Sequence, residues 1–129
     1  MGELVDFLSL PDVSDIVEEV YVSERLGKFK VKALTQEQHQ DFMNRSKGKL
    51  KKNGVEFDSS KFQLLIVANQ VIEPNFNNAE LLQKTKCATA TDLIKKKLLP
   101  GEIAIIADKV LEISGFDNDL VDIIEEAKN

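Results

Sequence analysis

The sequence DSSKFQLLIVANQVIEPNF, residues 58–76, predicts the helix around which the rest of the chain is organised. Asp58 and Ser59 suit an N-cap, because their side-chain oxygens can accept hydrogen bonds from the free amides of a first helical turn. Apolar residues follow at helical spacing on two opposite faces, namely Phe62, Leu65, Ile66 and Ile72, and then Leu64, Val67, Ala68 and Val71. A short helix that is apolar all round is typically buried in the centre of a domain. Pro74 disfavours helical backbone at the residue before it, so we expect the helix to cover 59–73.

The length and composition indicate one small intracellular domain. The chain has 129 residues and a single cysteine, Cys87, which cannot form an internal disulfide and fits a reducing cytoplasm. No basic segment followed by an apolar one stands at the N-terminus, as a secretory leader would require. The apolar run at 64–68 is far shorter than the roughly 20 residues of a membrane helix. We therefore expect neither export nor a membrane partner.

Charge is unevenly distributed along the chain. The formal net charge is −5, yet residues 28–52 carry a net charge of +6 and residues 102–129 carry −6. Such a split is compatible with head-to-tail association of copies, and hence with a homo-oligomer, or with two solvated faces of a monomer. The solvated faces are the simpler interpretation.

The N-terminal part predicts an arm followed by a β-hairpin. Residues 1–15 form a short apolar arm, and residues 16–129 are expected to form one globular domain. Apolar and polar residues alternate over 18–33, which indicates two strands joined by a turn at 24–27. The outer strand edges are expected to be open, with three lysines of the second strand guarding one of them. The candidate interaction residues of the arm and hairpin are Leu4, Phe7, Leu8, Tyr21, Phe29, Lys30, Val31 and Lys32.

The remainder of the chain, 35–129, predicts helices. Thr35 and Gln38 form a capping-box pattern, Asn77 or Asn78 can cap a second short helix, and Thr89 or Thr91 a third that stops at Pro100. An amphipathic stripe runs from Glu102 to Ile113, followed by Gly115 as a C-terminal cap and by a last helix capped by Asp117. The polar, basic segment 45–54 is interpreted as a mobile loop. The predicted fold is α+β and mostly α, with the hairpin packed on a compact bundle of about five to six helices.

No residue pattern indicates catalysis, a metal site or a cofactor. His39 is the one histidine, and one His with one Cys falls short of the four ligands of a structural zinc site. The acidic run 117–119 lacks the glycine of a calcium loop, so helix capping is preferred. The basic stretches 45–54 and 95–97 lack the interleaved aromatic residues of many nucleic-acid sites and are interpreted as solvated charge. We therefore expect a protein that is not an enzyme and that has no cofactor.

Three long segments resemble the XkdN-like family of phage tail assembly chaperones, found in phages and prophages of Gram-positive bacteria. They are YVSERLGKFKVKALTQEQ at 21–38, KFQLLIVANQVIEPNFNNAELLQ at 61–83 and LLPGEIAIIADKVLEISGFDNDLVDIIEEAKN at 98–129. The third is the most specific, because a Leu-Pro-Gly-Glu start precedes a helix, a Gly-Phe-Asp turn and an acidic C-terminus. Together the three segments extend over most of the chain.

The resemblance implies a chaperone that binds the tape-measure protein and helps to recruit major tail protein subunits. It also implies a location in the host cytoplasm, absence from the mature virion, and no catalytic residues. Two other functions remain open from the residues alone. One is a small helical regulator that binds nucleic acid through the basic region 28–52, and the other is a structural virion protein such as a tail-tube completion factor.

The resemblance further implies a longer form made by −1 ribosomal frameshifting near the end of the reading frame. The C-terminal residues Ala127, Lys128 and Asn129 can be encoded GCA AAA AAY, which contains a slippery heptamer in the required phase. Residues 51–53 can encode the same heptamer inside the domain, and the ending can also be without significance. The codons of the gene decide between these alternatives.

Overall fold

The computed structural model describes residues 6–52 and 54–116 and has an α+β architecture that is mostly α, as predicted. In chain order the elements are β1 (Val17–Ser23), β2 (Gly27–Lys32), α1 (Gln36–Arg45), β3 (Lys47–Lys51), β4 (Gly54–Phe57), α2 (Ser59–Gln70), β5 (Val71–Glu73), α3 (Ala79–Thr85), α4 (Ala90–Lys97) and α5 (Pro100–Ile113). Two 3-10 turns, Phe7–Ser9 and Val13–Asp15, precede β1. The predicted last helix and its cap Asp117 lie outside the described residues.

The central helix α2 begins where the sequence indicates. The carboxylate of Asp58 accepts a hydrogen bond from the amide of Lys61 at 3.0 Å, which satisfies one free donor of the first turn. Phe62, Leu65, Ile66 and Val67 are buried, and α2 packs against α1, α4, α5 and β5. The helix is therefore the centre of the core, as its apolar circumference predicts.

The end of α2 differs from the prediction. The helix stops at Gln70 instead of residue 73, and Val71–Glu73 form the strand β5. β5 pairs antiparallel with β2, with Val71 opposite Val31 and Glu73 opposite Lys30. Because the backbone groups of β2 need partners on this side and β-branched residues suit a strand, extended pairing replaces a further helical turn. Pro74 follows through a cis peptide bond.

The predicted N-terminal hairpin is confirmed, but one of its edges is not open. β1 and β2 pair from Val17 opposite Lys32 to Ser23 opposite Gly27. The strand order is β1-β2-β5, so β2 is the central strand of a three-stranded sheet. The lysines of β2 therefore do not guard an edge, because β5 occupies it.

The basic segment 45–54 is not simply a loop. β3 and β4 form a second antiparallel hairpin, in which Lys47 pairs with Phe57 and Lys51 with Gly54. Gly48 allows a close approach, since a Cβ at this position would lie 3.1 Å from the carbonyl oxygen of Glu56, and Gly54 adopts φ +111°. The high lysine content hides this pairing from a pattern analysis, because the segment has no apolar alternation.

The helix boundaries combine confirmed caps with one correction. Thr35 and Gln38 form the capping box through two bonds of 3.1 Å, Asn78 caps α3, and Thr89 caps α4. α4 ends at Lys97, and Pro100 is the first residue of α5 instead of a stop. Proline suits this position, because its fixed φ is helical and its missing N–H would have no helical partner.

Helix α5 covers the inner face of the sheet and ends in a glycine cap. Ile106, Ala107 and Val110 are buried against the core. Gly115 has φ +98°, and its amide and that of Phe116 donate to the carbonyl oxygens of Glu112 and Leu111. This pair of bonds is the Schellman arrangement, which turns the chain away from the helix axis.

Candidate functional site

The sole histidine is part of the packing between α1 and the end of α5. The ring of His39 lies 4.9 Å from that of Phe116 and 6.1 Å from that of Phe62. Burial lowers the pKa of His39, because desolvation penalises the charged imidazolium. The Sγ of Cys87 contacts the carbonyl oxygen of Thr85 at 3.5 Å. Within residues 6–52 and 54–116, no group of three metal-ligating side chains is assembled.

The three-stranded sheet has two outer strands, β5 with three residues and β1 with seven, so β1 provides the longer free edge. The carbonyl oxygen of Ile16 accepts from the amide of Ala33 at 2.9 Å and so faces β2, whereas the amide of Ile16 donates to the carbonyl oxygen of Val13. Bonding alternates along an antiparallel ladder, which turns the N–H and C=O groups of Val17, Glu19 and Tyr21 away from β2. In the described part of the chain no strand lies on that side. These groups are a template for an additional strand.

Apolar side chains border this free edge on both faces of the sheet. On the outer face Val17 is 40% exposed and Tyr21 is 61% exposed. On the inner face Glu102 accepts a hydrogen bond from Ser23 at 2.7 Å, which places the start of α5 at the end of β1.

The rest of α5 runs antiparallel alongside β1. The ammonium of Lys109 lies 3.6 Å from the carboxylate of Glu18, near the start of the strand. Ile105 lies on the same helix face as Glu102 and Lys109, between the two contacts, and is 44% exposed. A strand added to β1 would therefore meet apolar side chains above and below.

The outer face of the sheet carries alternating charge beside this edge. Lys30 stands between Glu19 on β1 and Glu73 on β5, and its ammonium lies 3.9 Å from the carboxylate of Glu73. Lys32 stands opposite Val17, and Lys28 opposite Tyr21. Opposite charges across strands stabilise a sheet modestly. Lys30 therefore contributes to the stability of the sheet, although it lies on the outer face.

The eight candidate residues from the sequence do not form one surface. Phe29 and Val31 are 6% and 0% exposed, because their side chains point into the core below the sheet. Lys30, Lys32 and Tyr21 lie on the opposite, outer face. Phe7 and Leu8 lie on the arm, 82% and 97% exposed, and Leu4 lies outside the described residues.

Two features of the site escape sequence patterns. Ile105 belongs to a helix that is apolar on most of its circumference, so its position beside β1 depends on how α5 is rotated. The second feature is that β5 covers the other edge of the hairpin and leaves the edge of β1 free. The sequence does not indicate this pairing, because residues 71–73 continue a helical pattern. Glu102, which connects α5 to the end of β1, can be recognised from the sequence, because it is an acidic residue in the first turn of a predicted helix. In the structure the amide of Leu99, three residues earlier, donates to its carboxylate at 2.8 Å.

Among the described residues, no helix has both the length and the apolar character needed to cross a membrane.

Comparison with known proteins identifies one relative over nearly the full length and another over somewhat more than half of the chain. The chain is 28% identical to the phage-like element PBSX protein XkdN of Bacillus subtilis (strain 168) over 130 residues, which cover 99% of this chain and 75% of that protein. It is 39% identical to the uncharacterized protein YqbN of the same strain over 75 residues, which cover 57% of this chain and 50% of that protein.

A solved structure supports the same relationship. The crystal structure of the protein YqbN matches with a TM-score of 0.64 and 25% identity, covering 91% of this chain and 100% of that structure. The family model of the phage XkdN-like tail assembly chaperone protein matches residues 4–128. Since this match covers far more than half of the sequence, the chain belongs to the XkdN-like family of phage tail assembly chaperones.

Proposed function

We propose that this chaperone binds the tape-measure protein of its phage and helps to recruit tail-tube subunits to it during tail assembly. Membership of the tail assembly chaperone family supports the general role. The observation that carries the specific proposal is the unpaired edge of β1 with Val17, Tyr21 and Ile105 exposed beside it. An aggregation-prone client needs a partner that covers apolar segments until assembly.

The chemistry of the edge defines the segment that it accepts. A strand added to β1 places alternate side chains over Tyr21 and Val17 on one face and over Ile105 on the other, so both of its faces are apolar. Glu18 and Glu19, although they face Lys109 and Lys30, belong to an acidic N-terminal region, in which the first 24 residues hold seven acids and no Lys or Arg. The preferred client segment is therefore short, extended and apolar, with a basic residue beside it.

The binding test uses Glu19, a position in the middle of β1 where proline affects the free edge and not the pairing with β2. Glu19 directs its N–H away from β2, so Glu19→Pro removes a donor for an added strand and no bond of the β1–β2 ladder. Glu19→Ala is the matched control that keeps the donor. Val31→Pro removes a ladder donor of the central strand and serves as the unfolded reference.

Each variant is co-expressed with the tape-measure protein. The two quantities measured are the fraction of the tape-measure protein that stays soluble and the amount of it that co-purifies with the variant. We expect the wild type and Glu19→Ala to retain it in solution, and Glu19→Pro to lose most of it while its circular dichroism and urea midpoint stay close to those of Glu19→Ala. Co-purification that is equal for Glu19→Pro and Glu19→Ala would exclude the β1 edge as the binding site. Failure of the wild type to bind would exclude the tape-measure protein as client.

The proposed role also places the protein in the host cytoplasm and outside the finished particle. Mass spectrometry of purified phage particles tests this directly. We expect tail-tube and tape-measure peptides without stoichiometric peptides of this chain. Stoichiometric recovery would instead support a structural virion component.

A further inference from the structure

A second surface, away from the β1 edge, is an apolar groove beside the turn of the first hairpin. This turn groove has a volume of about 310 Å³ and is lined by Leu26, Phe29, Pro74, Phe76, Leu81 and Leu93. Phe29, Phe76 and Leu93 are buried and form its floor, whereas Leu26 and Leu81 are partly exposed at its sides. The groove therefore offers apolar surface that nothing in the described residues covers.

The arm of the chain presents apolar side chains of complementary character. Phe7 and Leu8 are 82% and 97% exposed, the highest values among the large apolar residues that the structure describes. The carboxylate of Asp6 accepts from the amide of Leu8 at 3.1 Å and holds the segment as a 3-10 turn. Two neighbouring apolar side chains on a preformed turn lose little conformational freedom on docking.

The positions of arm and groove argue against docking within one copy. The arm enters β1 at Ile16, which pairs with Ala33 at the open end of the hairpin. The groove begins at Leu26, in the turn at the other end, and the seven residues of β1 separate the two by about 23 Å. An arm would have to unwind its 3-10 turns and run back along the whole strand to reach its own groove.

Charge favours contact between an arm and a groove. The arm and β1 contain no Lys or Arg, and Asp6, Asp12 and Asp15 flank the apolar turn. The groove has cations at its rim: Lys97 lines it, and the ammonium of Lys96 lies 2.8 Å from the carbonyl oxygen of Thr85, another lining residue. An acidic arm with an apolar tip thus matches an apolar groove with a basic rim.

We propose that the turn groove binds the Phe7–Leu8 turn of a second copy of this chain. The two contacting surfaces differ, so the interface is heterologous. An open assembly keeps one free arm at one end and one free groove at the other, and association continues head to tail as a filament or until a ring closes. This contact uses neither the β1 edge nor a client. Its failure would leave the client proposal standing, and the converse also holds.

Sedimentation velocity of the purified protein over a range of concentrations measures the association. We expect the mean mass to rise with concentration, and the double variant Phe7→Ser/Leu8→Ser to weaken association by at least about tenfold. Ile105→Ser is the matched control, because it removes an exposed apolar side chain from the β1 edge and should associate like the wild type. A monomeric wild type, or equal weakening by both variants, would overturn the proposal.

Cysteine cross-linking identifies the contact itself. In a Cys87→Ala background, copies with Leu8→Cys are mixed with copies with Lys97→Cys under oxidising conditions, and a heterodisulfide dimer is expected. Gln40→Cys, on the exposed side of α1, replaces Lys97→Cys in the control mixture and should give no dimer. Equal dimer yields in both mixtures would refute the assignment. A Leu8→Cys/Lys97→Cys chain that closes on itself at high dilution would show that its own arm fills the groove.

Discussion

Gln70 is a buried amide at the end of α2 that connects three elements. Its Nε2 donates to the carbonyl oxygen of Ala33 at 2.8 Å, just after β2, and lies 3.3 Å from Oε1 of Gln38 in the capping box of α1. Its Oε1 accepts no hydrogen bond from the described residues, so the hydrogen bonds of Gln70 to the rest of the core come from its amide nitrogen. Gln70 thus holds α2, β2 and α1 together at the point where helix changes to strand.

Replacing Gln70 by leucine keeps the side-chain volume similar and removes this donor. The carbonyl oxygen of Ala33 then loses a partner in the protein interior, which lowers the free energy of unfolding by about 1–3 kcal/mol. Urea denaturation measures the loss. Asn69→Ala, at the exposed neighbouring position, is the control and should cost clearly less. Similar urea midpoints for the two variants would show that the hydrogen bonds of Gln70 do not stabilise the junction of α2, β2 and α1.

Leu65 tests the placement of the core in α2. Its side chain is buried, whereas Lys61, one turn earlier, is exposed. Leu65→Ala removes apolar contacts and leaves a cavity, so we expect the free energy of unfolding to fall by about 2–5 kcal/mol. Lys61→Ala should leave the urea midpoint nearly unchanged. If both variants unfold at the same urea concentration, the core lies elsewhere.

At the scale of elements, the end of α5 depends on one backbone conformation. Gly115 adopts φ +98°, and the turn it makes brings Phe116 to the ring of His39, 4.9 Å away. A side chain at this position strains the backbone whatever space is available. The cap therefore determines where the chain goes after α5.

Gly115→Ala is expected to lower the free energy of unfolding by about 1 kcal/mol or more, since alanine disfavours positive φ. Gly101→Ala is the matched control at the other end of α5. Gly101 is helical, and an added Cβ would meet nothing within 4 Å, so this substitution should be neutral or stabilising. Thermal unfolding of the two variants gives the comparison. A stabilised Gly115→Ala would contradict the observed cap.

At the scale of the molecule, Glu102 joins the first hairpin to the last described helix. It accepts hydrogen bonds from Ser23 and from the guanidinium of Arg25, and the same guanidinium donates to the carbonyl oxygen of Lys97 at 2.9 Å. The hydrogen bond from Arg25, then that from the amide of Leu99 and that from Ser23, lower the pKa of Glu102 to about 2. This carboxylate keeps α5 in register with β1, and so fixes Ile105 beside the strand edge.

The lowered pKa predicts a dependence of stability on pH. Because the pKa in the folded state, about 2, lies below the ordinary value of 4.5, the ionised group stabilises the fold above pH 4.5. This contribution is lost as the pH falls from 4.5 towards 2. Urea midpoints at neutral pH and near pH 3 should therefore differ more for the wild type than for Glu102→Gln. Glu24→Gln is the control, because Glu24 is exposed in the turn between β1 and β2, next to Arg25, and this variant should behave like the wild type. An equally reduced pH dependence in this control would contradict the attribution of the effect to Glu102.

Local patterns determine much of this protein. Alternation over 18–33 predicts the hairpin, and the apolar circumference of 59–73 predicts the central helix, which the structure has over 59–70. Caps at Asp58 and Thr35, at Asn77 or Asn78 and at Thr89 or Thr91 mark the helix starts. These signals act within a few residues and need no distant partner. The family resemblance is likewise a property of the sequence.

The tertiary structure decided which edges and surfaces are left over. Val71–Glu73 continue a helical pattern, but β2 offers them a ladder 40 residues back in the chain. That pairing converts β2 from an edge strand into the central strand, so β1 keeps its expected free edge and β2 does not. The position of Ile105 beside β1 and the turn groove between Leu26 and Leu81 likewise require segments far apart in sequence to meet. An open edge or an uncovered apolar groove is defined by what fails to pack against it. No local pattern of residues contains that information, because it depends on where every other element has been placed.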